Sequence, residues 1–256
     1  MVALGLPERS SVAQTGSQLA AEFSELPFFA REARVLQEIL AGNVPSWLRP
    51  FASVTVTAKG PTGESHALSY DVLPDYLALG SDTDFLRMPM SPLTAQTACD
   101  AVGAVLPTTR MVDDIYRSSR VKLAPFPFSP KQFRTDTLPV FVQSCRQATQ
   151  ALVAAGSAPG AFVGGIKKDV VISRFVPKNP DKVAIYGWHG LSGKPIQSLF
   201  LGHSIDYMDY SHGIRVVSRK ATLDGAPRDL LAILADPALS FLVSGEGPVK
   251  ELRYDG

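Results

Sequence analysis

Four consecutive stretches, AFVGGIKKDVVISRF (161–175), KVAIYGWHG (182–190), PIQSLFLGH (195–203) and IDYMDYSHGIRVVSRKATLDG (205–225), decide the fold. Each is rich in β-branched and aromatic residues and bounded by Gly, Pro or Asn, the signature of strands. Strands that follow one another without intervening helices predict a mainly antiparallel sheet in the C-terminal half. Upstream, Leu138 to Ala155 has Pro139 in its first turn and Phe141, Cys145, Ala148 and Leu152 at helical spacing, and GSAPG closes it. Downstream, APRDLLAILADPALSFLV (226–243) has the spacing of short helices at a sheet edge.

Further out, VKLAPFPFSP (121–130) carries three prolines and reads as an extended connection between two halves. Before it, Ser91-Pro92 is a good N-cap and first helical position for a helix over Leu93 to Val105, and a second short helix spans Thr109 to Arg117. FASVTVT (51–57) and HALSYDVL (66–73) alternate around KGPTGES and form a β-hairpin. Pro27 to Leu40 is a helix with Phe29, Ala33, Leu36 and Leu40 on one face, Phe28, Val35 and Ile39 on its flank and Gly42 as its stop. Residues 1–24 read as a flexible tail, and 25–256 as a single domain. An N-terminal helix and hairpin, central helices and a late sheet make the fold class α+β.

With 256 residues, 45% of them hydrophobic, the chain has ample material for a core. Lys plus Arg number 25 against 24 Asp plus Glu, which gives no general affinity for nucleic acid or an anionic membrane. No apolar run reaches the roughly 18 residues needed for a membrane span. Two cysteines with 45 residues between them, Cys99 and Cys145, make neither a disulfide scaffold nor a zinc knuckle. Both sit on apolar helical stripes that favour packing over nucleophilic chemistry.

Chemistry concentrates late in the chain. Three of the four histidines, His189, His203 and His212, fall at H-x13-H-x8-H spacing. His189 shares a strand side with Val183 and Ile185 and reads as a buried structural residue. GHSIDYMDYSHGIR (202–215) is different, because nine of its fourteen residues can act as polar or titratable partners. On a regular strand, His203 and Asp209 share one face, and Asp206, Tyr210 and His212 share the other until Gly213. A carboxylate that fixes an imidazole tautomer produces a general base near neutral pH. The alternative role for these residues is a hydrogen-bonded turn. Ser211 and His212 point to opposite faces of such a strand and form no ready dyad.

A metal form is also open, with His203, His212 and Asp206 holding zinc and its water; the other form needs no cofactor. PDYLALGSDTDFLRMP (74–89) offers Asp82 and Asp84 as an opposite wall of a cleft, or as turn residues of a solvated loop. Lys167 lies inside an apolar strand and needs a partner, which is a carboxylate in the structural reading and a polar substrate in the functional one.

GSDTDFLRMPMSPLTAQ, VLPTTRMVDDIY, GGIKKDVV, VAIYGWH, GKPIQ and GHSIDYMDYSHGIR together resemble a group of uncharacterised bacterial proteins that often carry export signals. The resemblance implies a secreted or periplasmic location and no activity. The small, polar residues 1–20 likewise resemble the start of a mature exported chain.

Taken with the exported, bacterial character that the resemblance implies, the residues lead to a hydrolase of an extracellular or cell-envelope polymer, or of a small molecule. His203, Asp209 and His212 stand near the reacting bond, and Tyr210 and Arg215 orient groups or stabilise charge. Tyr186, Trp188, Tyr207, Asp82, Asp84 and Lys167 contact substrate. A polysaccharide lyase is a variant of the same chemistry. The alternative is a non-catalytic glycan- or peptide-binding module built on Tyr186, Trp188, Tyr207 and Tyr210. In a third, structural reading Cys99 and Cys145 form a disulfide and the polar segment serves the fold alone.

Overall fold

In the computed structural model, residues 4–250 and 253–255 are described. In chain order they form α1 (Gly16–Glu25), α2 (Phe28–Leu40), β1 (Ala52–Lys59), β2 (Ser65–Val72), β3 (Ala78–Gly80), β4 (Phe85–Arg87), α3 (Pro92–Ala101), β5 (Ala104–Val105) and α4 (Thr109–Ser118). Then come β6 (Val121–Lys122), α5 (Leu138–Ala154), β7 (Val163–Gly164), β8 (Lys168–Val170), β9 (Ile185–His189), β10 (Pro195–Phe200), β11 (His212–Gly213), β12 (Val217–Leu223), β13 (Ala226–Asp229) and α6 (Leu230–Ala235). The fold is α+β, as the element pattern predicts. Among the described residues, no helix is long and apolar enough to cross a membrane.

The late strands do not make one meander. One sheet has the antiparallel order β1-β2-β12-β13, with β5 also on β12, so the N-terminal hairpin is completed by a strand from the far end of the chain. The other has the order β10-β9-β8-β11, antiparallel except for the parallel β8–β11 pair. The chain passes from one sheet to the other between Gly213 and Val217. At Gly213 a Cβ would lie 2.4 Å from the Tyr76 ring and 2.7 Å from the Lys167 Cβ, so only glycine fits the crossing.

The expected N-terminal tail is instead built into the fold. Leu4, Leu19, Ala20 and Phe23 are buried in the main core, and residues 1–3 lie outside the described residues. At the start of α1, Gln18 Oε1 accepts from the Thr15 amide at 2.9 Å, and Asp84 accepts from the Ser17 amide at 2.9 Å. Its buried apolar side chains, Leu19, Ala20 and Phe23, make too short a stripe to stand out in the sequence.

α2 also turns a different face inward. Phe29 is 80% exposed, whereas Glu32, Val35, Glu38 and Ile39 are buried. The two glutamates tolerate the interior because each has a built partner. Glu32 accepts from the Ser91 amide at 2.8 Å, and Glu38 is held by Arg34 and Asn43. Ser91 in turn caps α3 through Thr94 N at 3.2 Å, as predicted, but the helix stops at Ala101 so that Ala104–Val105 can join the sheet. The proline-rich segment is extended, as its composition requires. It is also packed: β6 pairs in parallel with β7, and Leu123 and Phe128 are buried.

Beside β3–β4, Arg87 and Asp75 form an ion pair that is 1% and 0% exposed. Nη2 and Nε meet the carboxylate at 2.6 and 3.1 Å, the Tyr76 amide donates to it at 2.7 Å, and Arg87 Nη1 donates to Thr149 Oγ1 at 3.0 Å. Burial alone would raise the Asp75 carboxyl, but Arg87 outweighs it and holds it below the ordinary value. Neutralising one partner strands the other charge, so Asp75→Asn should cost about 3–5 kcal/mol in urea unfolding. A loss below about 1 kcal/mol would show that Arg87 does not depend on this carboxylate.

Candidate functional site

The site is assembled around β8. Adjacent residues of a strand face opposite ways, so Lys167 and Asp169 point into the interior while Lys168 faces the other side, half-buried. The pairing register sets Gly187, Lys168 and His212 in one row across β9, β8 and β11. Gly187 (φ 108°) and Trp188 (φ 54°) both have left-handed backbone. For tryptophan that conformation costs on the order of 1–3 kcal/mol. The Trp188 amide still donates to Lys167 O at 3.1 Å, and its ring is brought 5.0 Å from the Lys168 ammonium. The indole Nε1 is buried without a hydrogen-bond partner.

His212 is 1% exposed, and neither ring nitrogen has a partner. Around it the chain folds back on itself. Tyr207 N donates to Ser204 O and His212 N to Asp209 O, both at 3.0 Å. These turns bring the His203 and Tyr207 rings to 6.0 and 5.8 Å from His212, with His203 stacked on Tyr207 at 4.2 Å and Phe200 edge-on to His203 at 5.2 Å. Asp209 accepts from the Ser211 amide at 2.7 Å, the Ser211 hydroxyl at 2.5 Å and the Tyr207 hydroxyl at 3.3 Å. Residues 202–215 are therefore not a regular strand; only His212–Gly213 pairs as one, beyond a single bridge at Ser204. The expected division between two strand faces is replaced by a fold-back that collects His203, Tyr207, Asp209 and His212 together.

Burial pushes the His212 ring down to about 4, with Lys168, His203 and Lys167 acting in the same direction against Asp209. His203 is lowered too, first by burial. Burial works against an ionised Asp209, and His212, Ser211 and Lys168 more than offset it. At neutral pH the cluster therefore holds an uncharged imidazole beside a carboxylate.

Other expected site residues stand elsewhere. Arg215 is spent on Leu73 O (3.1 Å) and Val163 O (2.8 Å) and lies 4.0 Å over the Tyr76 ring, so it is not free to hold an oxyanion. The Tyr210 hydroxyl accepts from Phe128 N at 2.7 Å. Lys167 donates to Tyr210 O and, at 3.4 Å, to Ser144 Oγ rather than to a carboxylate or an open cleft, and burial lowers it to about 8. Asp82 holds the Ser46 amide and hydroxyl, both at 2.6 Å, and Asp84 holds Ser17; both fix distant segments of the chain rather than forming a wall opposite the histidines. Asp206 is exposed and bound to Ser204, and among the described residues no group of three or more His, Cys, Asp or Glu is arranged to hold a metal ion. The zinc set of His203, His212 and Asp206 is thus not assembled. Cys99 and Cys145 are both free, which removes the disulfide.

Tyr186 belongs to a second unit that sequence reasoning missed. Its hydroxyl donates to Asp113 Oδ1 at 2.9 Å, and the same oxygen meets His189 Nε2 at 2.8 Å, with Tyr116 stacked on the imidazole at 4.5 Å. His189 is buried, as its strand parity predicts, and its partner comes from α4, where VDDIY reads only as part of an amphipathic helix. Also missed was a cleft of about 520 Å³ beside α5, lined by Phe85, Leu86, Val142, Cys145 and Val153 and reached by Asp84.

No protein-family model, curated protein or solved structure matches this chain.

The cluster has a pH signature. The folded chain resists protonating His212 until about pH 4, whereas an unfolded histidine takes its proton near 6.5. Between those values the unfolded state binds more protons, so this residue's contribution to stability falls as pH falls. Asp169, raised to about 6 by burial, acts oppositely in part of that window, so the informative quantity is a difference. Wild type should lose stability relative to His212→Asn as pH drops from 6.5 to 4 in denaturant titrations; a constant difference would show an ordinary, solvated imidazole.

Proposed function

We propose that the protein is an exported bacterial hydrolase of an extracellular or cell-envelope polymer, with His212 as its general base. The observation that carries this reading is a buried imidazole with both nitrogens unpartnered, beside Asp209. A buried polar group without a partner is unfavourable for the fold and suggests a role in function. In this reading His212 takes a proton from water that enters past the half-buried His203 and Tyr207 rings. Asp209, fixed by Ser211 and Tyr207, stabilises the imidazolium through space, since no hydrogen bond joins the two side chains. Lys168 takes the charge-stabilising role that was expected of Arg215. The location outside the cytoplasm rests on the resemblance of the sequence motifs to exported proteins.

The enzyme reading is preferred to the open aromatic platform because all three expected platform tyrosines have their hydroxyls engaged within the protein, Tyr186 on Asp113, Tyr207 on Asp209 and Tyr210 on Phe128. Wild-type protein should release soluble fragments from a panel of purified sacculi and soluble glycans. His212→Ala should lower turnover by about 10²–10⁴ and Asp209→Asn by less, with unchanged circular dichroism. Unchanged turnover in both variants would remove this cluster from catalysis.

A further inference from the structure

Three unengaged groups on one side of β8 point to what the site holds. Lys168 has no carboxylate within ion-pair distance among the described residues, yet it is only half exposed and lies over the Trp188 ring. Trp188 Nε1–H, a donor with no accepting capacity, is buried and unpartnered. His212, level with Lys168 in the sheet, is buried with two unpartnered nitrogens. The neighbouring negative charge, Asp209, is turned to Ser211 and Tyr207, and Asp169 points to the opposite side, where it accepts from the Tyr76 hydroxyl at 3.0 Å. Donors therefore outnumber acceptors on this side, and the left-handed backbone at Gly187–Trp188 is what brings the indole into the set.

We propose that Lys168, Trp188 and His212 bind a carboxylate of the substrate, and that the polymer is a carboxylated, uronate-bearing glycan. A carboxylate offers two acceptor oxygens and one negative charge, which matches an ammonium and an indole N–H with an imidazole beside them. The half-buried faces of Trp188 and Tyr207 supply the apolar surface on which a sugar ring stacks. The word substrate rests on the hydrolase reading above; the carboxylate site does not.

The test is an NMR titration of the full chain with galacturonate, galactose and inorganic phosphate, following the indole N–H of Trp188 and the imidazole signals, with Trp47 as the internal control. Galacturonate should shift Trp188 and His212 saturably and galactose should not. Lys168→Met should weaken binding at least tenfold, and Lys168→Arg should restore most of it. No saturable shift with galacturonate, an equal response to galactose, or undiminished binding by Lys168→Met would overturn the proposal. Phosphate binding as tight as galacturonate would overturn the carboxylate assignment. If galacturonate binds through Lys168 while His212→Ala leaves turnover unchanged, the hydrolase reading fails and this site stands. If His212→Ala abolishes turnover of a neutral glycan and no anion binds, the reverse holds.

Discussion

Lys167, Lys168 and Asp169 stand consecutively in the middle of a sheet, and the rest of the molecule is arranged to tolerate them. Charges in an interior are unfavourable by several kcal/mol each unless they are compensated. Lys167 finds the Tyr210 carbonyl and Ser144, and Asp169 finds the Tyr76 hydroxyl with Arg215 stacked on the same ring. Asp75 and Arg87 complete the interior polar set. Those partners come from β2's exit, β4, α5, the segment before β11 and the β11–β12 crossing. The polar interior thus ties together segments distant in sequence, which apolar packing alone would leave less specified. The same alternation that sends Lys167 and Asp169 inward leaves Lys168 on the opposite side with the histidines.

Two histidine–carboxylate units result, and they differ in kind. His189 is joined to Asp113 by a direct hydrogen bond and covered by Tyr116, an arrangement in which at least one ring nitrogen is satisfied and the group is held in place. His212 has the aromatic surroundings and the carboxylate neighbour without the hydrogen bond. A satisfied polar group stabilises a fold, whereas an unsatisfied one in the same environment works against it. That contrast, more than the number of histidines, separates the structural unit from the candidate catalytic one.

The local elements were legible because local chemistry determines them. Alternation in 51–57 and 66–73 and the Ser91-Pro92 cap predict the hairpin and α3, and the stripe through Phe141, Cys145 and Leu152 predicts α5. What was not legible depends on partners far along the chain. The inward face of α2 depends on Ser91 and Asn43 meeting its glutamates, and the roles of Asp82 and Asp84 depend on Ser46 and Ser17. In the candidate site, the composition of 202–215 singled out the segment that folds back into the histidine cluster, but strand parity misassigned its geometry. The turns at Ser204–Tyr207 and Asp209–His212 contain no Gly or Pro to announce them. Trp188 was legible as an aromatic contact residue, but Lys168 was not, and the two meet through register and a left-handed tryptophan, neither of which composition encodes.

The protonation of His212 is the most direct measure of this account, and it can be followed by NMR in wild type and Asp209→Asn. Desolvation without hydrogen bonds should bring the ring's titration down to about pH 4. Removal of the Asp209 charge should depress its titration further. Half-buried His66, raised above its ordinary value by its hydrogen bond to Asp224, is the control and should titrate above the ordinary histidine value. If His212 instead titrates with His66 and does not respond to Asp209→Asn, the imidazole is solvated and independent of that carboxylate, and the account is contradicted.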